Sequence, residues 1–182
     1  MAAGPDPMPS LFLVDNRFRR RYMGSVLDRI GICPGERVLE LGPGTGVFTV
    51  EAARPTEPGG GLVVVDIQPE MIAAVERRVQ EADLSNVETH VASGFELLLE
   101  DGSVDRAFLV TVLPETSDPQ RALAELYRVL RPGGVLSITE EFMDPDYPLA
   151  RTTIRWAREA GFELTERHGN WWVYTVNFRK GT

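Results

Sequence analysis

Cys33 is the only cysteine in this chain. An internal disulfide is thereby excluded and a cysteine-built metal site is disfavoured, so no metal is expected. Positive charge is also short: 19 Lys and Arg face 27 Asp and Glu, for a net charge of −8. Such a surface repels nucleic-acid backbones, which argues against a nucleic-acid partner. The one basic cluster, Arg17, Arg19, Arg20 and Arg21, reads either as a solvated helix face or as a contact for an anionic group. No apolar run approaches the roughly 20 residues that a bilayer span needs. The opening MAAGPDPMPSLFLVDN has no basic segment followed by an apolar core, so it does not read as a secretion signal. A cytoplasmic protein without a membrane span is expected.

The rest of the composition is that of a globular protein: 43% hydrophobic, 8% aromatic and 25% charged. A length of 182 residues suits a single domain over 1–182 with one sizeable core. The first ten residues hold three prolines and little pattern, so 1–16 is expected to form a loose tail. Apolar residues at Phe18, Tyr22, Val26, Leu27 and Ile30 then recur at helical spacing, until Gly31 and Pro34 stop the pattern.

From there strands and helices alternate. Strands are expected at Arg37–Leu41, Leu62–Asp66, Val87–Val91, Val104–Val110 and Val135–Thr139, with helices at Val47–Arg54, Pro69–Ala82 and Pro119–Leu130 between them. Asp118 before Pro119 is an N-cap followed by a proline at the first helical position, where its missing N–H costs nothing. Pro69 opens its helix in the same way, and "RPGG" (Arg131–Gly134) reads as a stop and a turn. After a helix from about Pro148 to Ala160, "GFELTERHGNWWVYTVNF" reads as two strands around His168-Gly169-Asn170, an antiparallel hairpin. Helical crossovers demand parallel strands. The fold class is therefore α/β: a doubly wound, mostly parallel seven-stranded sheet with an antiparallel C-terminal strand.

In such a sheet, ligands bind beyond the carboxyl ends of the strands where strand order reverses. "VLELGPGTG" (Val38–Gly46) sits at the end of the first strand, and its glycines let a ligand approach the backbone. A glycine-rich turn alone also serves tight strand–helix packing. Asp66 closes the second strand, where a carboxylate can accept hydrogen bonds from both hydroxyls of a ribose. The dinucleotide fingerprint G-x-G-x-x-G would put its third glycine at Val47, and a phosphate-cradling loop would need Gly-Lys-Ser/Thr. Neither is met. Glu40 beside the loop disfavours pyrophosphate and favours a cationic ligand.

"VLELGPGTGVFT", "VVVDIQPEMI" and "LYRVLRPGGVLSITE" closely resemble three successive motifs of class I S-adenosylmethionine-dependent methyltransferases, over roughly Gly35 to Glu141. The likeness is greatest to small proteins grouped with quinone-biosynthesis methyltransferases. It implies a Rossmann-like methyltransferase fold and S-adenosylmethionine as cofactor. By that resemblance Glu40, Gly42, Gly44 and Gly46 surround the methionine part, Asp66 holds the ribose, and Ile67 packs on adenine with Met71 beside it. Relatives often carry an acidic residue after the third strand. Here the segment is "VASGF", and Ser93, Gly94 or Phe95 stands in its place. Thr111 and Val112 approach the methionine and the transferable methyl.

Methyl transfer from a sulfonium is a direct displacement that needs alignment more than acid–base chemistry, and alignment is worth on the order of 7–11 kcal/mol. A base matters only if the acceptor arrives protonated. Glu115, Glu140 and Glu141 lie near the expected methyl position, each also readable as a capping or solvated carboxylate. His90 reads as a packed or edge-strand residue, His168 as an exposed turn residue, and Tyr22 and Tyr147 as pocket-lining or core. "TVLPET" stands where base-amine methyltransferases carry D/N-P-P-Y/F, Cys33 is badly placed for a covalent adduct, and the missing cysteines weaken an arsenite-methylating reading. The acceptor is expected to be a small molecule, aromatic, quinone-like or lipid-like, covered by Met1–Tyr22 and Phe142–Leu149. Two other readings remain: a nicotinamide oxidoreductase, opposed by Val47 and Glu40, and a non-catalytic S-adenosylmethionine-binding module or regulatory subunit.

Overall fold

The computed structural model describes residues 16–142 and 144–182, and side chains from Tyr22 onward. Of the tail expected over 1–16, residues 1–15 lie outside the described residues, as do the side chains of the Arg17–Arg21 cluster. Asn16 belongs to the first helix, α1 (Asn16–Ile30), rather than to the tail.

Seven strands follow: β1 (Arg37–Leu41), β2 (Gly61–Asp66), β3 (Val87–Val91), β4 (Val104–Val110), β5 (Leu130–Glu141), β6 (Phe162–Gly169) and β7 (Val173–Lys180). Their order across the sheet is β3-β2-β1-β4-β5-β7-β6, with β7 antiparallel to both neighbours and every other pair parallel. The chain leaves β1 for β2 on one side and later returns to β4 on the other. The order therefore reverses beside β1, at its carboxyl end.

The β1 and β2 runs are apolar at every position but Arg37, Glu40, Gly61 and Asp66, because both faces of a parallel sheet are covered. Alternation sorts them into two cores. Val38, Leu62 and Val64 face Val26 and Ile30 of α1, Ala52 of α2 (Thr49–Ala53) and Val75 of α3 (Pro69–Glu81). Leu39, Leu41, Val63 and Val65 face the opposite layer, with Leu123 and Leu126 of α4 (Pro119–Val129) and Ala157 of α5 (Ala150–Glu159). Arg106 on β4 ties α1 to the sheet: its guanidinium donates to Glu36 Oε2 at 2.9 Å, Glu36 Oε1 at 3.0 Å and the Ile30 carbonyl at 2.7 Å.

Three expected boundaries shift. The helix expected at Val47–Arg54 is α-helical only over Thr49–Ala53 and tightens into a 3₁₀ turn at Arg54–Thr56, where Pro55 has no amide to continue the ladder. The strand expected at Val135–Thr139 runs from Leu130 to Glu141. Leu130 pairs with Val104 and Val135 with Arg106, so "RPGG" bulges out of the ladder opposite Asp105, which forms an ion pair with Arg131. His168 lies inside the β6–β7 ladder opposite Thr175, not in the turn. The expected cap at Asp118 is present, its carboxylate accepting the Arg121 amide at 3.1 Å. His90 sits on β3, the edge strand, beside Glu88 at 2.7 Å, and Cys33 is exposed.

Candidate active site

Parallel strands end on one side of the sheet, and the backbone stitches their ends together. Gly42 N–H donates to Val65 C=O at 2.9 Å, Ala92 N–H to Asp66 C=O at 2.9 Å and Thr111 N–H to Thr139 C=O at 2.9 Å. Residues from the ends of β1 through β5 are thereby held as one rim.

The three loop glycines have different neighbours. A Cβ on Gly42 would lie 2.5 Å from Val112 Cγ2, so this glycine exists for the close approach of the chain after β4. A Cβ on Gly46 would meet Val75 and Arg78 of α3 at 3.1 and 3.3 Å, a packing contact. Gly44, with φ +53°, would meet nothing within 4 Å. It alone leaves its backbone open at the rim.

Two carboxylates underlie the loop. Asp66 is buried and accepts the Gln68 amide at 2.9 Å. Burial raises its pKa, against the lowering pull of the Gln68, Gly44 and Ile67 amides that face it. Glu40 is buried at the end of β1 and accepts the Thr49 hydroxyl at 2.7 Å. Burial pushes its carboxyl up to about 7, with the nearby Asp66 adding in the same direction.

Next to Asp66, Ile67 is 67% exposed, an apolar side chain left standing at the rim. Met71 is half-buried in the first turn of α3. After β3 the Ser93 hydroxyl accepts the Phe95 amide at 3.2 Å, Gly94 lies over Leu41, and the Arg121 guanidinium sits 5.1 Å from the Phe95 ring centre. After β4 Thr111 takes φ +55°, rare for a threonine, and turns its hydroxyl to the Val110 carbonyl at 2.8 Å. Val112 follows and fills the space over Gly42.

The far side of the rim is acidic. Glu115 lies in a 3₁₀ turn (Leu113–Glu115), and burial followed by Asp144, Asp146 and Asp66 raises its pKa. Glu140 is completely buried, and neither carboxylate oxygen has a hydrogen-bond partner among the described residues. Burial, then Asp144, Glu115 and Glu141, push it up to about 9. Glu141 accepts the Tyr22 hydroxyl, 119 residues away in the chain. Burial raises both groups further. That contact was not anticipated from sequence, nor was the aromatic cluster of Phe142, Tyr147, Trp171 and Trp172 beside it. The dipeptide Trp171–Trp172 at the tip of a hairpin was the available signal.

The comparisons agree with this geometry. A family profile described as "Methyltransferase domain" matches residues 39–138. The ubiquinone/menaquinone biosynthesis C-methyltransferase UbiE of Vibrio vulnificus is 30% identical over 137 residues, 73% of this chain and 53% of that protein. An arsenite methyltransferase of Halobacterium salinarum is 35% identical over 117 residues, 64% of this chain and 30% of that protein. The chain thus spans a third to a half of the curated relatives it matches. A crystal structure of an S-adenosylmethionine-dependent methyltransferase from Aquifex aeolicus superimposes with a TM-score of 0.86 at 23% identity, covering 97% of this chain and 99% of that one. Matched by that family over more than half its length, the chain belongs to the class I S-adenosylmethionine-dependent methyltransferase family.

Proposed function

We propose that the protein transfers a methyl group from S-adenosylmethionine to a small-molecule acceptor. The observation that carries this reading is the Asp66 carboxylate, facing the amide of the open Gly44 and flanked by the exposed Ile67, at the point where strand order reverses. The residues present fit the cofactor. Asp66 meets the ribose hydroxyls, Ile67 gives adenine an apolar surface, and the loop 42–46 borders the methionine portion with Glu40 beneath it. Thr111 and Val112 stand next to the methyl. Ser93, Gly94 and Phe95 close the adenine side through backbone and ring contact, with the Ser93 hydroxyl accepting the Phe95 amide and keeping its own proton to donate.

When bound, the cofactor supplies an activated methyl, and the protein's share is alignment. Gly42 and Val112 fix the loop against the chain after β4, so the rim keeps its shape. None of Glu115, Glu140 and Glu141 is required to act as a base on an acceptor that arrives with a free lone pair.

Calorimetry of the purified chain tests the reading. S-adenosylmethionine and S-adenosylhomocysteine should bind at micromolar levels and NAD should not, and transfer of label from a methyl-labelled donor to a metabolite library should mark the acceptor. Preference for NAD would overturn the assignment, because Val47 and Glu40 oppose a pyrophosphate.

A further inference from the structure

The acidic rim serves neither the ribose nor the loop. Glu115, Glu140, Glu141 and Asp144 mutually disfavour ionisation there. Glu141 has Tyr22 as its partner. Glu140 is enclosed with both oxygens unpaired among the described residues, an arrangement costly to the fold unless something completes it.

Aromatic rings stand beside it. Tyr147 packs edge-on to Phe142 at 5.6 Å and to Tyr174 at 5.7 Å, and its hydroxyl donates to the Trp171 carbonyl at 2.7 Å. Phe142 meets Trp171 at 5.3 Å, and Trp171 stacks on Trp172 at 4.2 Å. Glu140 lies directly across the ladder from Tyr174, on which Tyr147 packs, so rings and carboxyl adjoin. Phe142 is 45% and Trp171 58% exposed, apolar surface left open next to the buried carboxyl. Glu115 follows β4, which lies between β1 and β5 in the sheet, and so stands between these rings and the loop after β1. Carboxylates that lack cations, walled by ring faces, select a positively charged organic group.

We propose that the methyl acceptor is an organic amine, its nitrogen held at Glu140 and Glu115 and its carbon frame laid on Tyr147, Phe142 and Trp171. The inference rests on the methyltransferase reading above and names its substrate class. An ammonium must first release one proton to solvent, since a free lone pair is needed. The nitrogen's pair then forms the N–C bond while the C–S bond breaks and leaves its pair on sulfur. Positive charge passes from sulfur to nitrogen, where the carboxylates stabilise it.

Benzylamine, benzyl alcohol and benzoate share a ring and differ in charge, so they serve as probes. Each is titrated into the full chain saturated with S-adenosylhomocysteine, in amine-free buffer, with tryptophan fluorescence and calorimetry as readouts. Benzylamine should bind roughly tenfold or more tighter than benzyl alcohol, and benzoate should not bind. Near neutral pH, benzylamine binding should release about one proton, read as a dependence of the heat on the buffer's ionisation enthalpy. The groups facing Glu140 in that titration are Glu115, Glu141, Asp144, Tyr147 and Tyr174, with Arg167 near the two phenols.

Glu140→Gln and, separately, Glu115→Gln should each weaken benzylamine by roughly tenfold and leave benzyl alcohol within about twofold. Should Glu140→Gln fail to fold, Glu115→Gln carries the test. Equal binding of the amine and the alcohol, or undiminished amine binding in both variants, overturns the amine assignment. Loss of S-adenosylhomocysteine binding by the unmodified chain instead overturns the methyltransferase reading on which it rests.

Discussion

Glu140 should make the stability of this protein fall as pH rises. Burial among like charges pushes its carboxyl up to about 9, against an ordinary value of 4.5, and it has no hydrogen-bond partner among the described residues. Between those two values the folded protein binds one proton more than the unfolded chain. The stability that the protonated group allows is complete below the unfolded value and is lost progressively up to the folded one. One proton corresponds to about 1.4 kcal/mol per pH unit, so from about pH 5 to about pH 8 the group removes on the order of 4 kcal/mol. Glu40, Glu115, Glu141 and Asp144 are raised as well and act with the same sign. The wild-type slope alone therefore does not isolate Glu140, and the comparison with Glu140→Gln does. Glutamine keeps the shape and cannot ionise. Its buried amide adds a cost independent of pH, so the difference in slope is read rather than the offset. Urea denaturation across that range, in amine-free buffer, should show the variant gaining on wild type by on the order of 1 kcal/mol per pH unit near neutrality. Parallel profiles would refute the reasoning, since they would mean that the Glu140 carboxyl titrates alike in both states.

Two further outcomes follow from the cofactor rim. Asp66→Ala removes the carboxylate proposed to accept both ribose hydroxyls and should weaken S-adenosylhomocysteine binding by about 1.5–3 kcal/mol, on the order of 10- to 150-fold by calorimetry. A 2′,3′-dideoxy analogue should lose little further, and affinity within about twofold of wild type would place the ribose elsewhere. Gly42→Ala should destabilise the fold by about 2 kcal/mol or more, because its Cβ would meet Val112 at 2.5 Å, and Val112→Ala should recover part of that in denaturation. Gly44→Ala should cost only about 1 kcal/mol of stability, for its positive φ, while reducing cofactor affinity. Equal destabilisation by the two substitutions would mean that the loop packs otherwise.

The central strands were legible because β1 and β2 are apolar, largely β-branched runs closed by Gly42 and Asp66. Arg37–Leu41, Val87–Val91 and Val104–Val110 have the expected bounds to the residue. Where an element depends on a distant partner the local signal failed. Leu130 joins β5 only because Val104 lies opposite, and "RPGG" can be accommodated as a bulge only with Asp105 there to pair with Arg131. The same holds for the loop. Its glycine spacing pointed to a ligand, yet Gly42 answers to Val112 and Gly46 to α3, and neither partner is adjacent in sequence. The hairpin offered one unused clue: Trp171 and Trp172 stand in its turn, beyond the paired strands, and both are about half exposed.

Burial and charge pull against each other along the carboxyl edge of the sheet. Elsewhere the chain pairs its buried charges, as Arg106 with Glu36 shows, and burial of Glu36 is outweighed by that pairing. At the edge it does the opposite. Glu40 has one hydroxyl, Glu141 one phenol and Glu140 nothing among the described residues. A carboxylate on the surface would cost nothing, and an apolar residue at position 140 would pack against Tyr174, its partner across the ladder. Departures from locally consistent design concentrate where a ligand supplies the missing interaction. A sulfonium beside Glu40 and a cation beside Glu140 would each relieve the like-charge crowding at the rim. The edge is thus less stable alone than its composition permits, and positive ligands are the ones that gain from it.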